Sequence, residues 1–231
     1  MGIKMFGLIF FLLGFLFGEI LISVIKRMFD DILKGENLIA SDFYKKKSLV
    51  CIFLLVKILA GLFLSLCYLK FGFSLIFIFG FLFLCCLIII SATDFYFMFI
   101  FDEIIFFLGF LSLILCVLGF NKIIFFERVL GFFLISIFML IINFFRRESF
   151  GLADIKLIAI SGFVFGYKNN FLVFFMPVFS AAIISCLMIL FKKKNFCDCI
   201  AFAPYICISM AVNFFCGAEI MAWYKNFLFL I

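Results

Sequence analysis

Long runs of apolar residues, separated by short polar breaks, follow one another along almost the whole chain. A helix that crosses a bilayer needs roughly 20 such residues, and shorter ones fit inside a bundle. The runs therefore predict an all-α, polytopic membrane helix bundle with about eight transmembrane helices. With 69% hydrophobic residues and a mean hydropathy of +1.44, a water-soluble domain of this size is excluded. The predicted crossings cover residues 5–25, 48–69, 71–92, 104–120, 128–145, a short run that follows the motif at 151–156 and ends at about 166, and then 171–191 and 200–217.

The segments between the runs are short, which predicts a single integral-membrane domain over residues 1–231 with no linker. The longest polar segment is 26–47, and we expect it to be a cytoplasmic loop. Residues 218–231 contain Trp223, Tyr224 and Lys225, a mixture typical of a membrane interface rather than of another crossing.

The basic residues are distributed unevenly between the two predicted sides of the membrane. If the first loop is cytoplasmic, that side holds twelve of the 19 basic residues and the opposite side holds six, with Lys57 inside a crossing. Such an excess marks the cytoplasmic side. The net charge of +6 is spread over loops, so we predict contact with the lipid bilayer and no nucleic-acid partner.

The ten cysteines do not indicate a metal site or a disulfide framework. Most of them lie inside apolar runs, where cysteine behaves as a small hydrophobic residue. Cys197 and Cys199 are the exception, but one close pair in a chain without histidine is a poor zinc site. We predict no metal.

Two carboxylates stand at corresponding places along the chain. Asp94 follows the third predicted crossing, and Asp154 lies at the start of the sixth, in the run Gly151-Leu152-Ala153-Asp154-Ile155-Lys156. Two crossings separate them, so both are predicted at the cytoplasmic edge of the membrane. An ionised aspartate is costly at membrane depth, by about 2.5–3.5 kcal/mol at a helix centre, and usually faces a bundle interior or a wet cavity.

If the two carboxylates approach each other, repulsion and desolvation make them share one proton. Such a pair suits peptide hydrolysis, because the carboxylate takes a proton from water while the acid polarises the scissile carbonyl. Two other readings stay open on the residues alone: Asp154 complements a helix dipole, or buried carboxylates serve an ion- or proton-coupled transporter.

Four blocks, in order, resemble the type IV prepilin peptidase family of Gly-x-Gly-Asp aspartic proteases. Residues 151–157, with Gly162 and Gly166 following, resemble the second catalytic block of the family. Asp94, with Asp102 eight positions later, resembles the first catalytic block. Residues 18–27 look like the end of the family's first helix, and residues 201–205 look like the start of its last helix.

The chain departs from the family pattern at several positions. Ala153 stands where the family has its second glycine, Phe101 replaces a proline, and Ile22 occupies an asparagine position. The first loop lacks the paired Cys-x-x-Cys motifs of many members. These departures keep a further alternative open, an inactive family member with a scaffold role.

The resemblance implies a hydrolase, an aspartic endopeptidase that cleaves the leader peptide of type IV prepilins or pseudopilins. It implies a multi-pass protein of the bacterial inner membrane with its active site at the cytoplasmic face. Asp94 and Asp154 become the catalytic pair, supported by Gly151, Ala153, Lys156 and Asp102. No cofactor is expected. Only an N-methyltransferase activity, which many members carry, would need S-adenosylmethionine, and we do not predict it here.

Overall fold

A computed structural model describes residues 2–35, 47–146, 150–191 and 200–229, and all regular structure in these ranges is helical. The predicted all-α class is confirmed. One 3₁₀ turn, Phe120–Lys122, lies between the fourth and fifth helices. The seven α-helices of the described ranges are α1 (Gly2–Gly35), α2 (Lys47–Phe71), α3 (Leu75–Phe97), α4 (Asp102–Val117), α5 (Phe125–Phe145), α6 (Leu152–Leu190) and α7 (Ala203–Phe229).

Six of these helices, all except α4, are long and apolar enough to cross a membrane. The count is close to the eight crossings predicted, and α6 explains part of the difference. This helix runs for 39 residues, but Gly166 inside it has φ 73° and ψ 166°, which is not helical. A positive φ of this kind costs glycine little and strains any other residue, so the chain breaks here into residues 152–165 and 167–190.

The two parts of α6 fold back on each other. In a straight helix, positions 158 and 170 would be about 18 Å apart along the axis. Instead the Asn170 side-chain amide donates to the Ile158 carbonyl at 3.3 Å, and the Ser161 hydroxyl donates to Asn170 Oδ1 at 2.6 Å. The break was predicted near Gly166, and the two predicted crossings on either side of it correspond to the two arms.

Arg128, near the start of α5, holds this hairpin in place. Its guanidinium is 1% exposed and donates to the carbonyls of Phe163 and Val164, at the end of the first arm, at 3.1 and 2.9 Å. It also donates to the carbonyls of Phe120 and Ile123. The sequence predicts Arg128 at the start of a crossing, on the side opposite the cytoplasm; the structure buries it because the last carbonyls of a helix need donors from elsewhere.

The chain divides into two compact units, Met1–Phe97 and Met98–Ile231. Within the first unit, α1 and α2 approach closely at glycines. A Cβ at Gly14 would lie 2.7 Å from the Ala60 carbonyl oxygen, and one at Gly18 would lie 2.7 Å from the Lys57 Cα. Small residues allow such close approach of membrane helices. Lys57 also forms an ion pair with Glu19 beside this crossing.

Two helix ends differ from the prediction. Helix α1 continues through residues 26–35, which were predicted as part of the polar loop, because Ile25, Phe29 and Leu33 recur every four residues and are buried. At the other end, α7 runs to Phe229 and includes most of the segment predicted as an interfacial tail. Whether the two units form one domain, as the sequence predicts, stays a prediction.

Candidate active site

Asp94 lies inside the last turn of α3, where the sequence predicted a polar edge beyond the helix. Its side chain is 6% exposed, and its neighbours Ala92 and Thr93 are also buried. The Thr93 hydroxyl is satisfied locally, because it donates to the Ile89 and Ile90 carbonyls. A buried aspartate in a membrane helix is typical of a group held for a function rather than for solubility.

The charged end of α1 packs against the last turn of α3. The Phe29 ring contacts the rings of Tyr96 and Phe97, with centroids 5.5 and 4.8 Å apart. Phe29 lies between exposed Lys26 and Lys34 on the same helix. Within the first unit, Asp94 is therefore at the end that carries exposed basic residues.

Asp154 lies in the first turn of α6, three residues after the N-cap residue Gly151. Its side chain is half-buried. The carboxylate lies against Gly151, because a Cβ at that position would come 3.1 Å from Asp154 Oδ2. The φ of −63° and ψ of 141° at Gly151 suit any residue. A side chain at this position would therefore press on the carboxylate without straining the backbone.

Lys156 and Asp102 form an ion pair, with Nζ 2.5 Å from Oδ1. Asp102 is the first residue of α4, so the pair joins the starts of α4 and α6, which carry parts of the two catalytic blocks. The two side chains are 47% and 58% exposed. An exposed pair of this kind contributes little to stability, about 0–1 kcal/mol, and its charges are accessible from outside the unit.

An apolar groove of about 750 Å³ runs beside the first arm of α6. Helices α4, α5 and α6 form its walls, and the ion pair between Lys156 and Asp102 lies at the end where α4 and α6 begin. Gly109 keeps the middle of the groove open, since a Cβ there would touch only Ile160 Cδ1, at 3.8 Å. The groove is large enough for a few turns of apolar side chains.

One polar residue of this region was missed by the sequence analysis. Asn143, in the last turn of α5, hydrogen-bonds both backbone groups of Phe150, just before Gly151. The Phe150 ring also contacts the Phe202 ring, 6.0 Å between centroids, in the block before α7. An asparagine near a helix end is ordinary in a sequence, so no pattern distinguished it.

The second unit thus places Gly151 against Asp154 and pairs Lys156 with Asp102, while Ala153 is half-buried in the first turn of α6. Asp94 belongs to the first unit, and its approach to Asp154 stays a prediction. The predictions for residues 36–46 and for Cys197 and Cys199 fall outside the described residues.

The sequence model of the type IV leader peptidase family matches residues 81–186. This segment contains both Asp94 and Asp154, and the resemblance predicted from the sequence is confirmed over it. No curated protein and no solved structure matches the chain significantly. The family match supports a peptidase, and together with the apolar helices it indicates a multi-pass membrane protein.

Proposed function

We propose that this chain is an intramembrane aspartic endopeptidase. Its substrates are type IV prepilins or pseudopilins, from which it removes the leader peptide at the cytoplasmic face of the bacterial inner membrane. The observation that carries this proposal is the family match over residues 81–186, which contains both Asp94, buried in the last turn of α3, and Asp154, half-buried in the first turn of α6.

The proposed reaction uses one proton shared between the two carboxylates. The ionised carboxylate takes a proton from a water molecule, and the resulting hydroxide attacks the scissile carbonyl while the protonated carboxyl donates to the carbonyl oxygen. As the intermediate collapses, the C–N bond breaks and the departing amine takes up a proton. The products are a free carboxylate on the leader and a free amine on the apolar segment. This scheme needs no metal and no organic cofactor, and it includes no methylation.

The orientation is supported by basic residues near each aspartate. In the first unit, Lys26 and Lys34 are exposed on the part of α1 that packs beside Asp94. In the second unit, exposed Arg146 directly follows α5 at the end where α6 begins. Basic residues collect on the cytoplasmic side of membrane proteins, so both aspartates are proposed to act at that face.

The substrate class is supported by the groove beside α6. A prepilin presents a short basic leader followed by an apolar helix, and the apolar groove offers that helix a place along the first arm of α6, the arm that carries Asp154 in its first turn. Exposed Glu103, beside Asp102 at the groove's end, attracts a basic leader, whereas the charge of Asp102 is balanced by Lys156. Screening restricts this attraction to about 10 Å at moderate salt.

The test is leader removal by variants of each aspartate. Asp94→Asn and Asp154→Asn keep the side-chain volume and remove the ionisable group, so each should abolish cleavage of a co-expressed prepilin. Asp31→Asn is the matched control, because Asp31 is exposed on α1, and it should process the substrate normally. Full processing by either of the first two variants would contradict the assignment.

A further inference from the structure

The side chain of Asn143 hydrogen-bonds both the N–H and the carbonyl of Phe150, as a neighbouring backbone would. Its Nδ2 donates to the Phe150 carbonyl at 2.8 Å, and its Oδ1 accepts from the Phe150 N–H at 2.8 Å. Both backbone groups of one residue are therefore bound to one amide plane. Among neutral side chains, only Asn and Gln offer a donor and an acceptor in this arrangement.

This pair of hydrogen bonds lies four residues before Asp154. Gly151 is the only residue between the bound Phe150 and the first residue of α6, and its carbonyl already accepts from the Ile155 N–H at 3.2 Å. Beyond Gly151 the helix is regular as far as its break at Gly166. Fixing the peptide groups of Phe150 therefore fixes the place at which α6 begins relative to the end of α5.

The Asp154 carboxylate depends on that starting point directly. It lies against the Cα of Gly151, so a shift of Gly151 changes the surface on which the carboxylate rests. The Phe150 ring adds a second restraint through its contact with Phe202. The ring restrains the side chain of Phe150, whereas Asn143 restrains its backbone.

We infer that Asn143 is a positioning residue for Asp154, which orients this carboxylate for catalysis by binding both backbone groups of Phe150. The inference rests on the proposed peptidase function. A neutral amide suits this role because it keeps both hydrogen bonds at every pH and adds no third charge beside the pair of carboxylates. Asn143 touches neither substrate nor water in this role and acts only through the segment 150–154.

The experiment compares Asn143→Ala and Asn143→Gln in the full-length protein, purified in detergent, with a purified prepilin as substrate. Asn143→Ala removes both hydrogen bonds, and we expect kcat to fall about tenfold, equivalent to about 1.4 kcal/mol, with KM changed less than about twofold. Asn143→Gln keeps both groups on a side chain one methylene longer, and it should recover part of the lost kcat. Asn169→Ala is the matched control, because Asn169 accepts from Asn213 through its backbone carbonyl, which the change retains.

Hydrogen exchange at the Phe150 amide supplies a readout that does not depend on cleavage. The exchange rate should rise in Asn143→Ala, lie between that variant and the parent protein in Asn143→Gln, and stay unchanged in Asn169→Ala. The melting temperature of all three variants should stay close to that of the parent protein. An unchanged kcat in Asn143→Ala, or a rise in KM alone, would overturn the inference while leaving the proposed function intact. Cleavage by Asp154→Asn would overturn both.

Discussion

Replacing Gly151 with alanine should displace the Asp154 carboxylate while leaving the backbone where it is. The φ of −63° and ψ of 141° at Gly151 are open to alanine without strain. The new Cβ would lie 3.1 Å from Oδ2 and 3.7 Å from Cγ of Asp154. Ordinary contacts of this kind start near 3.4 Å, so the carboxylate has to move by a few tenths of an ångström.

The expected size of the effect follows from the cost of that movement. Turning a side chain about 30° from its preferred rotamer costs about 0.5–1.5 kcal/mol. If the carboxylate has to return to its original position in the transition state, this cost lowers kcat by about 2- to 13-fold. Stability should hardly change, because alanine is a poorer N-cap residue than glycine but also reduces the freedom of the unfolded chain, and these effects oppose each other.

The measurement is prepilin cleavage by Gly151→Ala and by the bulkier Gly151→Val, each with its melting temperature. The cleavage rate should be lower in Gly151→Ala than in the parent protein, and lower still in Gly151→Val. Gly151→Ala should melt close to the parent protein. Gly7→Ala is the matched control, because its Cβ would meet only the Leu69 side chain, at 3.8 Å, and its rate should not change. Parent-like cleavage by Gly151→Val would refute the argument that the carboxylate rests on residue 151.

Two further predictions concern charged residues of the second unit. Arg128→Met leaves the carbonyls of its hairpin without donors, at about 1–3 kcal/mol for each buried group. The melting temperature should therefore fall sharply, whereas the exposed Arg27→Met should leave it unchanged; equal melting of the two variants would contradict the role of Arg128 in the fold. Asp102→Lys combined with Lys156→Asp reverses an exposed ion pair, and we expect it to restore the cleavage lost in Lys156→Met. Both variants should melt close to the parent protein, because an exposed pair contributes only about 0–1 kcal/mol. A double variant that melts like the parent but does not cleave would show that Lys156 acts on the substrate.

The fold class could be predicted from the sequence because membrane crossings depend on local composition alone. The same is true of the break near Gly166, where a glycine interrupts an otherwise apolar run. The extension of α1 was readable too, since Ile25, Phe29 and Leu33 follow a four-residue period. The charged residues between them point outward, so a segment that is polar in composition still forms a helix with one buried face.

The contacts of the site could not be predicted in the same way. Lys156 and Asp102 are 54 positions apart, and Arg128 meets the carbonyls of Phe163 and Val164 only once α6 has folded back. These pairs depend on which helices are neighbours, and periodicity carries no such information. The bonds between Asn143 and Phe150 are local in sequence, but they involve backbone groups, which every residue has.

Two of the departures from the family pattern, Ala153 and Phe101, lie near the predicted catalytic residues. At both positions the backbone conformation suits the residue that is present. Ala153 is the second residue of α6 and is helical, and alanine favours a helix over glycine by about 1 kcal/mol. Phe101 precedes α4 with a φ of −73°, close to the value that proline imposes. Gly151, in contrast, is retained, and it is the position where a side chain would press on a carboxylate. Ala153 and Phe101 therefore suit the backbone at their own positions, and these two departures give no structural argument for an inactive scaffold.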